Sequence, residues 1–234
     1  MLEVENIDAF YGEFQVLNSV SMNLGEGELH ILLGPNGHGK STFLKTTCGL
    51  MKPSSGSIRF MGEKIHHLAC EKIVEMGIVY IAEDRELFPQ MTVLENLKMG
   101  AHNRHARAHE KESLEYVLEM FPRLSERIKS FASTLSGGEA RMLAIGRGLM
   151  SKARFLAIDE PSLGLSPLFR SEVFKNIETI YKSGMGVLLV EQTMPKIADL
   201  ADRIYLMEEG QIVFSGSRAE ADNNQNFREV FLGI

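Results

Sequence analysis

A chain of 234 residues, 44% of them apolar, is long enough to bury a sizeable interior without covalent staples. Its formal net charge of -6 argues against general binding to phosphate backbones, so nucleic acid is not an expected partner. Cys48 and Cys70 form no CxxC pair, "MLEVENIDAF" lacks the basic and apolar character of a leader, and no apolar run reaches the ~18 residues that a membrane span needs. A cytoplasmic chain is the expectation.

In chain order, the first clear strand is "LHILLG", ending at Gly34, and it runs into "GPNGHGKST" and the helix-like "STFLKTTCGL". The loop fits G-x-x-x-x-G-K-[ST]. Gly34, Pro35, Asn36, Gly37, His38 and Gly39 would let backbone N–H groups wrap phosphates at a helix N-terminus. Lys40 would neutralise the outer phosphate oxygens, and Ser41, followed by Thr42, would offer its hydroxyl to Mg²⁺. A glycine turn that merely caps a helix is the plainer reading, and the strand–loop–helix order disfavours it.

A second strand, "GIVYIA" at 77–82, precedes a long stretch from about 84 to 150 with helical spacing and few strand signals. There Leu114, Val117, Leu118 and Phe121 make one apolar face. "ELFPQMTV" supplies Leu87, Phe88, Pro89 and Met91, either core of this helical part or the lining of an apolar groove. His102, His105 and His109 stand among Arg104 and Arg107, and this run, like His66–His67, reads as solvated surface before metal site. "TLSGGEARM" begins a helix with a capping box at Ser136 and Glu139. The box does not account for Gly137 and Gly138, which would let the backbone approach an anion, so this helix start reads as a second phosphate-binding surface, for another nucleotide.

"RFLAID" at 154–159 delivers Asp159 and then Glu160 to a strand end, where Asp159 would hold Mg²⁺ through water and Glu160 would orient or deprotonate an attacking water. Simple capping of the next helix by "DEPS" competes with that reading, and the presence of Lys40 and Ser41 decides for chemistry. "GVLLVE" ends likewise in Glu191 and Gln192, at the carboxyl end of a strand where ligand crevices lie. "RIYLME" and "QIVFSG" form a hairpin turning at Glu209–Gly210. The sum is an α/β chain with a largely parallel sheet.

"GPNGHGKST", "LSGGE" and "FLAIDEP", in this order and over essentially the whole chain, resemble the ATP-binding cassette (ABC) ATPases. The resemblance implies a P-loop NTPase fold for residues 1–234: an N-terminal antiparallel β region, a RecA-like core at about 1–83 and 151–234, and an inserted α-helical subdomain at about 84–150. It implies two cassettes packed head to tail, each LSGGE closing on ATP held by the other, with Tyr11 stacked on adenine. "EDRELFPQMTVLENL", "MLAIGR", "DEPSLGLSP", "LLVEQ" and the C-terminal "VFLG" resemble more narrowly the shorter ATPase subunit of branched-chain amino acid importers. That implies two membrane permeases, an extracytoplasmic solute-binding protein and a peripheral place on the cytoplasmic face of the membrane. The second cassette would be a different chain or an identical one, the resemblance favouring the former. A cassette for urea, amides or another small solute, or a soluble cassette without permeases, is the alternative.

Four departures stand out. Glu83 occupies the position of a glutamine that in most cassettes helps to ligate Mg²⁺, and a carboxylate there adds negative charge. Ser166 replaces an aspartate of the loop that crosses the dimer, and Ala140 and Arg141 replace glutamines common after LSGGE. Gln192 stands where most cassettes have histidine; its amide donates a hydrogen bond but cannot charge near neutrality, so a positioning role is expected, with Glu160 as the base.

Overall fold

The computed structural model describes residues 1–225, 227 and 228; the "VFLG" segment at 230–233 lies outside them. The chain starts with two long antiparallel strands, β1 (Leu2–Tyr11) and β2 (Phe14–Leu24), and then enters the short, wholly buried β3 (Leu29–Leu33). After the glycine loop come α1 (Lys40–Thr47), β4 (Ser55–Phe60), β5 (Glu63–Lys64), α2 (Cys70–Glu75) and β6 (Ile78–Ile81). Five helices follow: α3 (Val93–Gly100), α4 (Arg104–Ala108), α5 (Glu110–Met120), α6 (Pro122–Glu126) and α7 (Gly137–Leu149). The chain returns through β7 (Phe155–Asp159), α8 (Pro167–Lys182) and β8 (Gly186–Glu191), and ends in β9 (Arg203–Glu208), β10 (Gln211–Gly216) and α9 (Arg218–Asn223).

Two sheets result. The first, ordered β2-β1-β4-β5, is antiparallel, and the second, ordered β10-β9-β3-β8-β7-β6, is parallel except for β10. The β9–β10 hairpin turns at Glu209 and Gly210, both with positive φ, as a two-residue connection of primed type requires. Strands buried on both faces carry continuous apolar runs, and each strand of the parallel sheet divides them between two cores by alternation. Leu156, Ile158, Val187 and Leu189 point to the core shared with the helices between 93 and 182. Phe155, Ala157, Leu188 and Val190 point to the other, shared with α1 and the antiparallel sheet.

The apolar face of α5 packs as its spacing requires, with Val117 and Phe121 buried and Leu114 and Leu118 partly so. Phe121 ends that helix, and Pro122 opens α6 at the position where a missing N–H does no harm. "ELFPQMTV" divides between both roles: Leu87 packs on the core, whereas Phe88 is exposed on the wall of an apolar groove. The rings of His105 and His109 lie 4.9 Å apart, tilted by 53°, and among the described residues no three His, Cys, Asp or Glu side chains come together as a metal site. Cys48 and Cys70 are both free thiols.

Candidate functional site

Between the two sheets, at the carboxyl end of β3, lies a pocket of about 540 Å³ lined by the glycine loop, the start of α1 and residues from four other segments. Asn36, Gly37, Gly39, Lys40, Ser41 and Thr42 form its floor. Gly39 sits at φ 101°, in a left-handed conformation that favours glycine, and a side chain there would also press on Val16 O at 3.0 Å. It caps α1 without any side-chain acceptor, which leaves the first N–H groups of the helix for a ligand. His38 ties the loop to the β9–β10 turn: its Nδ1 accepts from the Glu209 N–H at 3.1 Å, and its carbonyl accepts from the Gly210 N–H at 3.1 Å.

Lys40 is buried and its ammonium donates to the carbonyls of Gly34 and Pro35 at 2.8 and 2.9 Å. The same ammonium lies 3.5 Å from Glu160 Oε1, while Glu160 Oε2 accepts from the Gln192 amide. One carboxylate therefore receives a cation on one oxygen and an uncharged donor on the other. Glu160 itself is held in an unusual backbone conformation, φ 43°, and its N–H extends the ladder to Val190 O at 3.0 Å.

Asp159 lies deeper. Its Oδ2 accepts from the Tyr80 hydroxyl at 2.9 Å, and its Oδ1 is buried with no protein partner. Burial first, and then the charge of Asp159, push the Tyr80 hydroxyl well above its ordinary range, so it stays a donor. A buried, unpaired carboxylate oxygen is what a cation or its bound water would satisfy. Ser41 and Glu83 line the pocket itself. Desolvation, and next the charges of Glu160 and Asp159, raise the Glu83 carboxyl above its usual range, which is the electrostatic consequence of a carboxylate where the cassette pattern has an amide.

Tyr11, Phe14 and Leu163 stand exposed at the mouth, beside the half-buried Val16. Of these only Tyr11 was legible beforehand; Phe14 belongs to the same β1–β2 turn, and its exposure despite its size is the signal. Glu191 faces away from the pocket. It is buried and accepts from the N–H and hydroxyl of Ser162, at 3.2 and 3.0 Å, and burial raises its carboxyl to about 7.

Ser136, Gly137 and Gly138 are not among the residues lining this pocket. They open α7 elsewhere on the surface, with the capping box formed: Glu139 N–H donates to Ser136 Oγ at 3.3 Å, and Ser136 N–H donates to Glu139 Oε2 at 2.8 Å. Ser136 and Gly137 are exposed, whereas Gly138 is buried, and a side chain on it would strike the Phe169 ring at 2.2 Å. Packing thus accounts for Gly138, a cause that sequence reading had not supplied; Gly137 meets only Arg85 and Leu165, at 3.5 Å and beyond. Ser166 is exposed at the start of α8.

A phosphate-binding loop that leaves a helix N-terminus open beneath a lysine, with carboxylates at neighbouring strand ends, defines a nucleoside triphosphatase of the P-loop type. The family model for ABC transporters matches residues 17–163. A high-affinity branched-chain amino acid transport ATP-binding protein of Pseudomonas aeruginosa is 42% identical over 233 residues, the whole of both chains. A lipopolysaccharide export system ATP-binding protein of Haemophilus influenzae is 30% identical, over all of this chain and 97% of the relative. Among solved structures, a nucleotide-free ATP-binding cassette from an ABC transporter superposes with a TM-score of 0.87 at 28% identity, covering 98% of each chain. The ADP conformation of another such cassette gives 0.84 at 28% identity, covering 100% of this chain and 99% of the other. The chain belongs to the ABC transporter family and is one of its ATP-hydrolysing cassettes. Among the described residues no helix is long and apolar enough to cross a membrane.

Proposed function

We propose that the chain is one of two cassettes beneath a pair of membrane permeases, hydrolysing ATP to power uptake of a branched-chain or related amino acid. The observation that carries the chemistry is the Glu160 carboxylate held between Lys40 and Gln192 at the open N-terminus of α1. ATP lies with its phosphates on the amides of residues 34–42 and its base on Tyr11. Lys40 moves from Glu160 onto the phosphate oxygens, freeing the carboxylate to take a proton from water, and Gln192 aligns that water without carrying charge. Mg²⁺ would be held by Ser41, by Glu83 and, through water, by the unpaired oxygen of Asp159, and would screen the charge of the phosphates.

Ser136, Gly137 and Gly138 serve the nucleotide of the second cassette, because their helix start, exposed at Ser136 and Gly137, does not line the chain's own pocket. The second cassette is a different chain or another copy of this one. The apolar groove of about 540 Å³, walled by Leu50, Val74, Val79, Phe88 and Met99, receives a cytoplasmic helix of a permease. This puts the chain on the cytoplasmic face of the cell membrane, with the solute-binding protein reached only through the permeases. The amino-acid solute rests on the relative from Pseudomonas aeruginosa.

The test is reconstitution of the chain with its second cassette, permeases and binding protein in vesicles, followed by ATP-dependent uptake of labelled leucine, urea and a short amide. Leucine uptake abolished by Glu160→Gln is expected. Uptake of urea or the amide alone would replace the solute, and a chain that hydrolyses ATP but is not retained on permease-containing membranes would be a soluble cassette.

A further inference from the structure

Among the described residues Arg141 is the largest fully buried side chain, 1% exposed, and it lies one helical turn beyond Gly138 on α7. Its guanidinium does not end on a carboxylate. Nη1 donates to Ala82 O at 2.8 Å, and Nη2 donates to Glu83 O at 2.6 Å and to Glu160 O at 3.3 Å. Nε is buried without a partner. Three carbonyls at the ends of two adjacent strands, β6 and β7, are thus gathered by one planar fork from a helix that belongs to neither.

Burying a guanidinium is expensive unless its charge and donors are met, and core packing alone would be served more cheaply by an apolar side chain. What repays the burial here is location. Burial, and next the charge of Arg85, lower its pKa to about 10, against the opposing charges of the acidic strand ends, so the guanidinium stays cationic at neutral pH and its cost is met by the carbonyls it holds. The carbonyls it holds belong to the two residues whose side chains reach the pocket, Glu83 and Glu160, and to the residue before Glu83. Glu160 is also the residue in the left-handed conformation, where an outside grip on its peptide is needed to keep the carboxylate aimed.

We infer that Arg141 is a positioning residue for hydrolysis: it fixes the backbone of Glu83 and Glu160, and it couples this chain's site to the start of the LSGGE helix. An α-helix turn is stiff, and Gly138 to Arg141 spans about 4.5 Å of helix axis. A ligand that pulls on Ser136–Gly138 moves the same rigid turn that holds Glu160.

The inference rests on Glu160 acting in the pocket, and the experiment separates the two. Steady-state ATPase rates of the purified full-length chain are measured for Arg141→Met, Arg141→Lys and Glu160→Gln, with thermal melts of each. Arg141→Met is expected to lower kcat by about tenfold or more with KM for ATP changed less than about threefold, and Arg141→Lys to recover part of that loss. Wild-type kcat in Arg141→Met overturns the inference, as does a loss in which kcat and KM fail together and lysine restores nothing. Where Arg141→Met does not fold, Arg141→Lys decides: a severalfold lower kcat at unchanged KM supports the link, and wild-type kcat removes it. Full turnover in Glu160→Gln would instead overturn the reading of the site itself.

Discussion

Strands β7 and β8 lie side by side and both end in two polar residues, Asp159–Glu160 and Glu191–Gln192, yet they deliver them differently. In β8 the strand phase simply continues: Val187, Leu189 and Glu191 face the helices, and Leu188, Val190 and Gln192 face the side of α1. Only Gln192 reaches the nucleotide pocket, while Glu191 is spent on Ser162. In β7 the phase puts Asp159 on the pocket side and would put Glu160 with Leu156 and Ile158, among the helices. The positive φ of Glu160 cancels that alternation, and its carboxylate meets Lys40 instead. Two consecutive residues of a strand share one site only where the strand conformation is broken.

The sharpest way to break the comparison is to remove the group that the backbone reversal delivers. Glu160→Gln keeps size and a hydrogen-bond acceptor but removes the proposed base, and turnover is expected to fall by ~10³ or more while ATP remains bound. Single-turnover hydrolysis and retention of labelled ATP measure the two halves. Turnover close to wild type would mean that the reversal serves the fold and not the chemistry.

Gln192→Ala comes next. It removes the amide that β8 contributes by ordinary alternation, leaving Glu160 with Lys40 alone. The expected loss is ~10²–10³ in kcat, the range for a single positioned donor. A pH–rate profile that keeps its shape would accompany it, since an amide does not titrate near neutrality. Wild-type turnover would demote Gln192 to a strand-end residue of no catalytic use.

Much of this was legible in the sequence, and for identifiable reasons. The glycine loop, the run delivering Asp159 and the hairpin at Glu209–Gly210 depend on local backbone chemistry, which spacing reports directly. The parallel sheet followed from buried apolar runs between helical patterns. Contacts across long separations were not legible. Nothing in "LSGGEARM" announces that Arg141 reaches the carbonyls of Ala82 and Glu160, and nothing near Gly138 announces Phe169 on a later helix. The same holds for the two ends of "VEQ". Alternation predicts that Glu191 and Gln192 part company, but which of them lines the pocket depends on the side of the sheet that carries α1.

The smallest effect lies with Glu191 and sharpens the comparison from the other side, because its carboxylate is kept out of the site and pays in solvation. Burial raises its folded-state pKa to about 7 from an ordinary value of 4.5, against the opposing hydrogen bonds from Ser162. Between those values the folded chain holds a proton that the unfolded chain has lost. The stability from this group is therefore complete below the unfolded pKa and is lost as pH rises through the folded one, by an amount on the order of 3 kcal/mol. Glu191→Gln does not titrate and keeps one acceptor for Ser162, at a constant loss of about 1 kcal/mol for the other bond. Relative to wild type the variant should thus be slightly less stable at pH 5 and more stable at pH 8, with the curves crossing between. Urea unfolding at unit pH steps measures this. Parallel curves would mean that the carboxylate ionises in the folded chain as easily as in water, and that the α8 side of β8 is as hospitable to charge as the α1 side.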